Sequence, residues 1–260
     1  SYKQALKFKI DYVAAYNNLG TVLHERGDLS SAIDLFKQAI KFKPDYAEAY
    51  NNLGNIWKDQ GDLDAAIESY KQAIELKSDY AEAHNNLGNA LQAKGDLDAA
   101  IGSYTRALEL KPDYAEAHNN IGNALKDKKK LAAAMKSYER AIQIKPDYAD
   151  AYNNMGIVLS ERGDLAASIA SYNKALKLKP DYADAYNNLG SALRENGDLA
   201  SATDSYKRAL KIQPNLLDAA CNLAKFPSEY IGRQELSLLQ EVFNNQYSSN
   251  QLFSKLQFFE

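Results

Sequence analysis

Residues 45–78 read DYAEAYNNLGNIWKDQGDLDAAIESYKQAIELKS. Closely similar stretches recur at intervals of 34 residues, beginning at Asp11, Asp79, Asp113, Asp147 and Asp181. Six copies of this unit therefore occupy residues 11–214 of the 260-residue chain. A chain that repeats one short unit builds a line of similar modules, because each module packs mainly against its neighbours.

The unit keeps apolar and small residues on a fixed frame, which comprises Tyr50, Leu53, Gly54, Trp57, Ala66, Tyr70 and Ala73. Five copies end in proline, at Pro44, Pro112, Pro146, Pro180 and Pro214, and one ends in Ser78. This pattern resembles the tetratricopeptide repeat (TPR) family. The resemblance implies an all-α fold, a right-handed superhelix built as an α-α solenoid of antiparallel helix pairs. The near-identity of the copies is similar to bacterial, especially cyanobacterial, TPR arrays.

The repeat frame predicts three segments. Residues 1–10 match the second helix of an incomplete repeat, so we infer a fragment, a processed product or part of a longer protein. Residues 215–260 form a degenerate repeat and C-terminal capping helices, with amphipathic segments at Gln234–Phe243 and Asn250–Phe259. Between them lie the six repeats, 11–44, 45–78, 79–112, 113–146, 147–180 and 181–214.

Each repeat is predicted to form two helices, A and B. Asp45 is expected to cap helix A together with Glu48, and Asp62 to cap helix B, because an Asp side chain accepts from the exposed N–H groups of a first turn. Gly61 suits the left-handed conformation that ends a helix. In the fourth copy Lys128–Lys130 replaces this Gly-Asp turn, which predicts a less stable turn with faster amide exchange, or else a basic contact.

A glycine recurs in the middle of every predicted helix A, at Gly20, Gly54, Gly88, Gly122, Gly156 and Gly190. Glycine inside a helix costs about 1 kcal/mol relative to alanine. We therefore expect that a side chain at this position would block close helix packing.

Composition excludes several functional classes. A formal net charge of -3 gives no basic surface for nucleic acid, and no apolar run is long enough to span a membrane. A cytoplasmic location is expected. His84 and His118 occupy a helix-packing position rather than a metal-ligand pattern, Cys221 lacks a base partner, and no catalytic motif is present. We expect neither enzymatic activity nor a cofactor or metal.

Asparagines form rows along the predicted A helices, although asparagine is only a middling helix former. The first row contains Asn18, Asn52, Asn86, Asn120, Asn154, Asn188 and Asn222. The second row contains Asn17, Asn51, Asn85, Asn119, Asn153 and Asn187. A partial third row contains Asn55, Asn89 and Asn123.

A carboxamide carries a donor and an acceptor and can pair with any peptide group. If A helices lie about 10 Å apart, an extended chain advancing about 3.4 Å per residue meets one asparagine at every third residue. The first row resembles the asparagine ladder in the TPR superhelix of O-linked N-acetylglucosamine transferase. That resemblance implies a concave groove on the A helices that grips extended peptides, so all three rows are predicted peptide-binding residues.

Other interpretations remain open at this stage. The identical asparagines could record duplication, or could bond within their own repeats. The main hypothesis is a protein-interaction scaffold that binds an extended segment of another protein. An alternative is a substrate-docking arm of a larger glycosyltransferase or sulfotransferase. A third hypothesis is end-to-end self-association through Ser1–Lys9.

Overall fold

The computed structural model describes residues 13–227 and 230–246. The predictions made for residues 1–10, including self-association, and for Asn250–Phe259 lie outside these residues. Within the described part, the regular structure consists of α-helices. None of these helices is long and apolar enough to cross a bilayer. The chain divides into two compact units, residues 1–144 and 145–260.

The described part of the first unit contains four helix pairs, in which odd-numbered helices are A helices and even-numbered helices are B helices. They are α1 (Val13–Glu25), α2 (Leu29–Phe42), α3 (Ala47–Asp59), α4 (Leu63–Leu76), α5 (Ala81–Ala93), α6 (Leu97–Leu110), α7 (Ala115–Asp127) and α8 (Leu131–Ile144).

The described part of the second unit continues the pattern with two pairs, a short A helix and a final helix. They are α9 (Ala149–Glu161), α10 (Leu165–Leu178), α11 (Ala183–Glu195), α12 (Leu199–Ile212), α13 (Leu217–Leu223) and α14 (Arg233–Gln246). Inside each unit, an A helix packs against its own B helix, and that B helix packs against the next A helix. Successive A helices also touch. This is the tandem, paired-helix arrangement that the 34-residue period predicts.

The central glycine of each A helix receives an aromatic ring from the B helix of the same repeat. A Cβ atom added at Gly88 would lie 2.5 Å from Cε1 of Tyr104. A Cβ atom added at any of the other five central glycines would come similarly close to Phe36 or to a tyrosine ring. Tyr104 is completely buried. The expectation that a side chain here would block packing is confirmed.

The predicted caps of the B helices are present. The Asp62 carboxylate accepts from the N–H of Ala65 at 3.0 Å, and Gly61 before it has φ of +81°. The same carboxylate cap recurs at Asp28, Asp96, Asp164 and Asp198.

The predicted caps of the A helices are wrong. Helix α3 begins at Ala47 after Tyr46, and no side chain caps it. Asp45 lies instead in the turn that the Tyr46 N–H closes by donating to the carbonyl of Lys43 at 3.1 Å. Glu48, the other member of the predicted capping box, forms an ion pair with Lys77 at 3.6 Å.

The fourth repeat keeps the shape of the turn without its usual residues. Lys129 has φ of +58°, the only positive value among the described residues that are not glycine. Lys130 stands where other repeats have the capping aspartate, and a lysine side chain has no acceptor to offer. Lys128 pairs with Asp98, as Lys94 pairs with Asp64 one repeat earlier. The backbone therefore accepts a strained residue here.

The predicted helix at Gln234–Phe243 corresponds to α14 and covers the apolar end of the second unit. Leu239, Val242 and Phe243 are buried in one cluster with Leu223 of α13 and Tyr206 of α12. Helix α13 ends at Leu223, shortly before Pro227, and proline disrupts helix interiors.

The contact between glycine and tyrosine can be tested with a matched pair of substitutions in the third repeat. Gly88→Ala should lower the free energy of unfolding by about 1–3 kcal/mol, because the new methyl group overlaps the Tyr104 ring. Gly102→Ala should instead raise it by about 1 kcal/mol, because Gly102 is helical with open space around its Cβ direction. Urea denaturation measures both values, and equal effects of the two substitutions would contradict the packing argument.

The strained turn of the fourth repeat should respond to glycine. Lys129→Gly should stabilise the protein by about 1 kcal/mol and slow amide exchange in the 128–131 turn, because it removes the left-handed penalty. Gly95→Lys is the reverse change in the preceding repeat and should destabilise by a similar amount. Thermal melts and hydrogen exchange provide the measurements. If neither variant shifts the melting temperature, residue 129 carries no backbone strain.

Candidate functional site

The second asparagine row lies inside the protein. Its members are between 4% and 8% exposed at Asn17, Asn51, Asn85, Asn119 and Asn153, whereas Asn187 is half-buried. A buried carboxamide needs hydrogen-bond partners, because an unpaired polar group in the interior costs about 1–3 kcal/mol. This burial does not support the prediction that the second row contacts a peptide.

The first row lies nearer to solvent. Asn18 is exposed, and the other members are half-buried at Asn52, Asn86, Asn120, Asn154, Asn188 and Asn222. This row and the second row are adjacent in sequence, so a turn of about 100° around the helix axis separates them and gives them different environments.

Hydrogen bonds join the two rows across consecutive repeats. In the first unit, the Nδ2 atoms of Asn52, Asn86 and Asn120 donate to the Oδ1 atoms of Asn17, Asn51 and Asn85 at 2.9–3.0 Å. In the second unit, Asn188 donates to Asn153 at 3.0 Å and Asn222 to Asn187 at 3.1 Å. Each bond satisfies an interior amide of one repeat with the more accessible amide of the next, and it fixes the orientation of both.

The third row serves the same framework. The Tyr104 ring packs against Gly88, and its hydroxyl donates to Oδ1 of Asn89 at 2.8 Å. Asn89 also accepts from Nδ2 of Asn120 at 3.0 Å. Asn55 and Asn123 accept from Tyr70 and Tyr138 in the same way, each at 2.8 Å. The third-row amides therefore bind the buried tyrosines.

Repeats without a third-row asparagine have other residues near the aromatic side chain of helix B. The hydroxyl of Tyr206 lies 3.1 Å from Ser191, which stands at the Asn89 position. Tyr172 packs with Ile157 at that position, Ser168 donates its hydroxyl to the carbonyl of Gly156 at 2.8 Å, and burial raises the pKa of Tyr172 to about 12. The first repeat has Phe36, which needs no partner, and Thr21, whose hydroxyl donates to the carbonyl of Asn17 at 3.1 Å. In the six repeats a third-row asparagine therefore occurs only where helix B carries the tyrosine, and Tyr172 and Tyr206 lack one.

Charged side chains border the A helices. Glu48 and Glu82 pair with Lys77 and Lys111 at 3.6 and 3.8 Å. The Lys77 ammonium also lies 4.7 Å from the Tyr80 ring centroid. At the other end of the A helices, Asp59 accepts from His24 at 2.8 Å and Asp127 from Gln92 at 2.9 Å. The Glu–Lys pairs lie within single repeats, whereas the Asp59 and Asp127 contacts, like the asparagine bonds, link successive repeats.

The histidines have structural partners. His84 is half-buried, and its Nε2 lies 3.3 Å from the carbonyl oxygen of Ser78. His118 repeats this contact with Pro112 at 3.1 Å. Burial lowers the pKa of both imidazoles, so the neutral form donates one N–H to the carbonyl. Over residues 13–227 and 230–246, no group of three or more His, Cys, Asp or Glu could hold a metal ion.

Sequence reasoning found the asparagines but missed the bonds between their rows. The available signal was that the rows occur together in every repeat at a constant offset of 35 residues from donor to acceptor. Two residues separated by one repeat plus one residue lie on neighbouring A helices. A row that only faced solvent would not need a second asparagine at that separation.

Comparisons with solved structures agree with this architecture. One crystal structure of MamA is 29% identical to this chain over 64% of this chain and 91% of MamA. A second crystal structure of MamA is 30% identical over 62% of this chain and 94% of MamA, and both have a TM-score of 0.54. PilF of Pseudomonas aeruginosa is 20% identical over 80% of this chain and 94% of its own, with a TM-score of 0.70. YrrB, described as a TPR protein with an unusual peptide-binding site, is 24% identical over 71% and 95%, with a TM-score of 0.53.

No curated protein matches the chain. The TPR repeat family matches residues 20–59, 54–95, 88–129, 122–163 and 158–197, and the tetratricopeptide repeat family matches residues 183–216. These matches extend over most of the helix pairs described above. Because TPR arrays are protein-binding scaffolds, the chain has the architecture of such a scaffold. It belongs to the tetratricopeptide repeat family.

Proposed function

We propose that this protein binds an extended segment of another protein along the first asparagine row. The observation that carries the proposal is the row's double role, since five half-buried amides are each held by a bond to the second row and still reach solvent: Asn52, Asn86, Asn120, Asn188 and Asn222. A polar group that is already oriented loses little conformational entropy when a ligand binds.

The first-row amides retain bonding capacity. Among the described residues, no donor is placed on Oδ1 of Asn52, Asn86 or Asn188, and each of these amides commits one donated bond to the second row. A carboxamide has two donor hydrogens and two acceptor lone pairs. An acceptor and a donor therefore remain at each position for a peptide N–H and C=O.

The members of the first row differ in the bonding capacity that they retain. Oδ1 of Asn222 accepts from the Lys225 ammonium at 3.3 Å, so it is less available to a peptide. Asn120 donates to both Asn85 and Asn89, and offers mainly its oxygen. The proposed contacts are thus strongest at Asn52, Asn86 and Asn188, while the second and third rows act as supports.

The expected affinity is weak to moderate. One net hydrogen bond contributes about 1 kcal/mol, and ordering an extended peptide offsets part of the sum. Bonds to the peptide backbone carry little information about side chains, so sequence preference is loose. A docking arm of a larger transferase would use the same row, and the binding step proposed here is common to both hypotheses.

The test compares two triple variants on the same three helices. Asn52→Ala, Asn86→Ala and Asn120→Ala together should reduce capture on an array of twelve-residue synthetic peptides by about tenfold or more, because two or three backbone contacts are lost. Asn55→Ala, Asn89→Ala and Asn123→Ala remove an equal number of amides and should lower the melting temperature while preserving capture.

Both variants must be helical at the assay temperature by circular dichroism, and the assay is run well below their melting temperatures. Capture by the first-row variant at the level of the unaltered protein would eliminate the proposal. Loss of capture in the third-row variant alone would identify the third row as the peptide-binding residues.

A further inference from the structure

A groove in the second unit has no part in the asparagine framework. It lies between the B helices α10 and α12 and against the A helix α11, and its volume is about 530 Å³. Leu176 and Leu189 form an apolar, nearly buried floor beside the half-buried Tyr186. We name it the α10–α12 groove.

The rim of this groove is basic. Lys177 and Arg208 line it and are exposed, and Lys211 lies one turn beyond Arg208 on α12. No ion pair in the described part of the chain involves any of these three side chains. Arg208 lies over the Tyr186 ring at 5.8 Å, which directs its charge to the floor of the groove. Asp204 is the one acidic lining residue.

The first unit contains the same groove with a different charge. Between α4 and α6, a cavity of about 420 Å³ is lined by residues that each precede a lining residue of the α10–α12 groove by three repeats, such as Ile74, Leu87 and Arg106. There Glu75 and Glu109 stand at the positions of Lys177 and Lys211. Glu109 pairs with Arg106 at 2.7 Å. Two positions have therefore changed sign in otherwise similar repeats.

The charge difference extends over whole helices. Helices α10 and α12 contain Lys174, Lys177, Lys207, Arg208 and Lys211 against Asp204 alone. The corresponding helices of the first unit, α4 and α6, contain Lys71 and Arg106 against Asp64, Glu68, Glu75, Asp98 and Glu109. A common fold does not require either distribution, since these positions are on the surface. The basic rim is thus a property of the second unit.

We propose that the α10–α12 groove is a second docking surface, which binds an acidic segment of a partner protein carrying one large apolar side chain. The apolar floor accepts the side chain, and the cationic rim attracts the flanking carboxylates. A cavity of this size holds one or two side chains. A peptide fits these features better than nucleic acid does, because phosphate binding needs a basic surface without an apolar anchor.

The probe is a fluorescein-labelled ten-residue peptide of Asp and Glu around a central Phe, with binding followed by fluorescence anisotropy. Lys177→Glu with Lys211→Glu gives this rim the charges found in the first unit. Affinity should fall by about tenfold or more, because two attractive contacts become repulsive. Replacing the central Phe of the peptide by Ser should weaken binding similarly.

The first unit supplies a matched gain-of-function control. Adding Glu75→Lys and Glu109→Lys to the Lys177→Glu, Lys211→Glu variant should restore binding, because the basic rim is then present at the equivalent groove. The first-row asparagine variant should bind the acidic peptide normally, which separates this surface from the A-helix row. All substituted positions are on B helices and exposed, so circular dichroism should be unchanged.

Three results would overturn the proposal. One is that the unaltered protein does not bind the acidic peptide, or that the Lys177→Glu, Lys211→Glu variant loses less than twofold in affinity. A second is equal binding of the Ser peptide together with tight binding of a single-stranded oligonucleotide, which would identify a nucleic-acid surface. The third is a salt-sensitive dimer, seen by light scattering and lost in the variant, which would make a second copy the occupant.

Discussion

A carboxamide buried between helices must have a hydrogen-bond partner, and in this protein the partner comes from the next repeat. The interior oxygen of Asn51 accepts from the amide of Asn86, and that of Asn153 accepts from the amide of Asn188. The bond therefore does more than stabilise one repeat, because it fixes the register between neighbours. Displacing one helix pair relative to another would leave a polar group unpaired in the interior, at a cost of about 1–3 kcal/mol.

The same requirement explains the glycine and tyrosine positions. The tyrosine ring crosses helix A only because glycine has no Cβ, and its hydroxyl then needs an acceptor at the far side. Asn55, Asn89 and Asn123 provide it, and the Ser191 hydroxyl lies 3.1 Å from that of Tyr206. Steric access and hydrogen bonding are thus coupled, and in the first repeat Phe36, which has no hydroxyl, is accompanied by Thr21 in place of the third-row asparagine.

The helix pairs, the glycine contact and the caps of the B helices followed from the sequence, because each depends on residues close together in the chain or repeated at a fixed period. The beginning of helix A did not follow. Asp45 and Glu48 fit a capping box, but a turn closed on Lys43 places Tyr46 at the helix start. The asparagine rows were visible, yet their division into buried and accessible sets depends on which neighbour each helix touches, and the sequence of one repeat does not contain that information.

The bond between amides in positions 35 residues apart has a consequence for how arrays of this kind change in length. Excision or duplication of a single 34-residue module brings an identical donor opposite an identical acceptor. The same hydrogen bond can therefore form at the new junction. Recombination within the gene can then lengthen or shorten the array while the pairing of interior amides is kept. Helix α14, whose Leu239 and Phe243 pack against Leu223 and Tyr206 outside the 34-residue pattern, does not share this interchangeability.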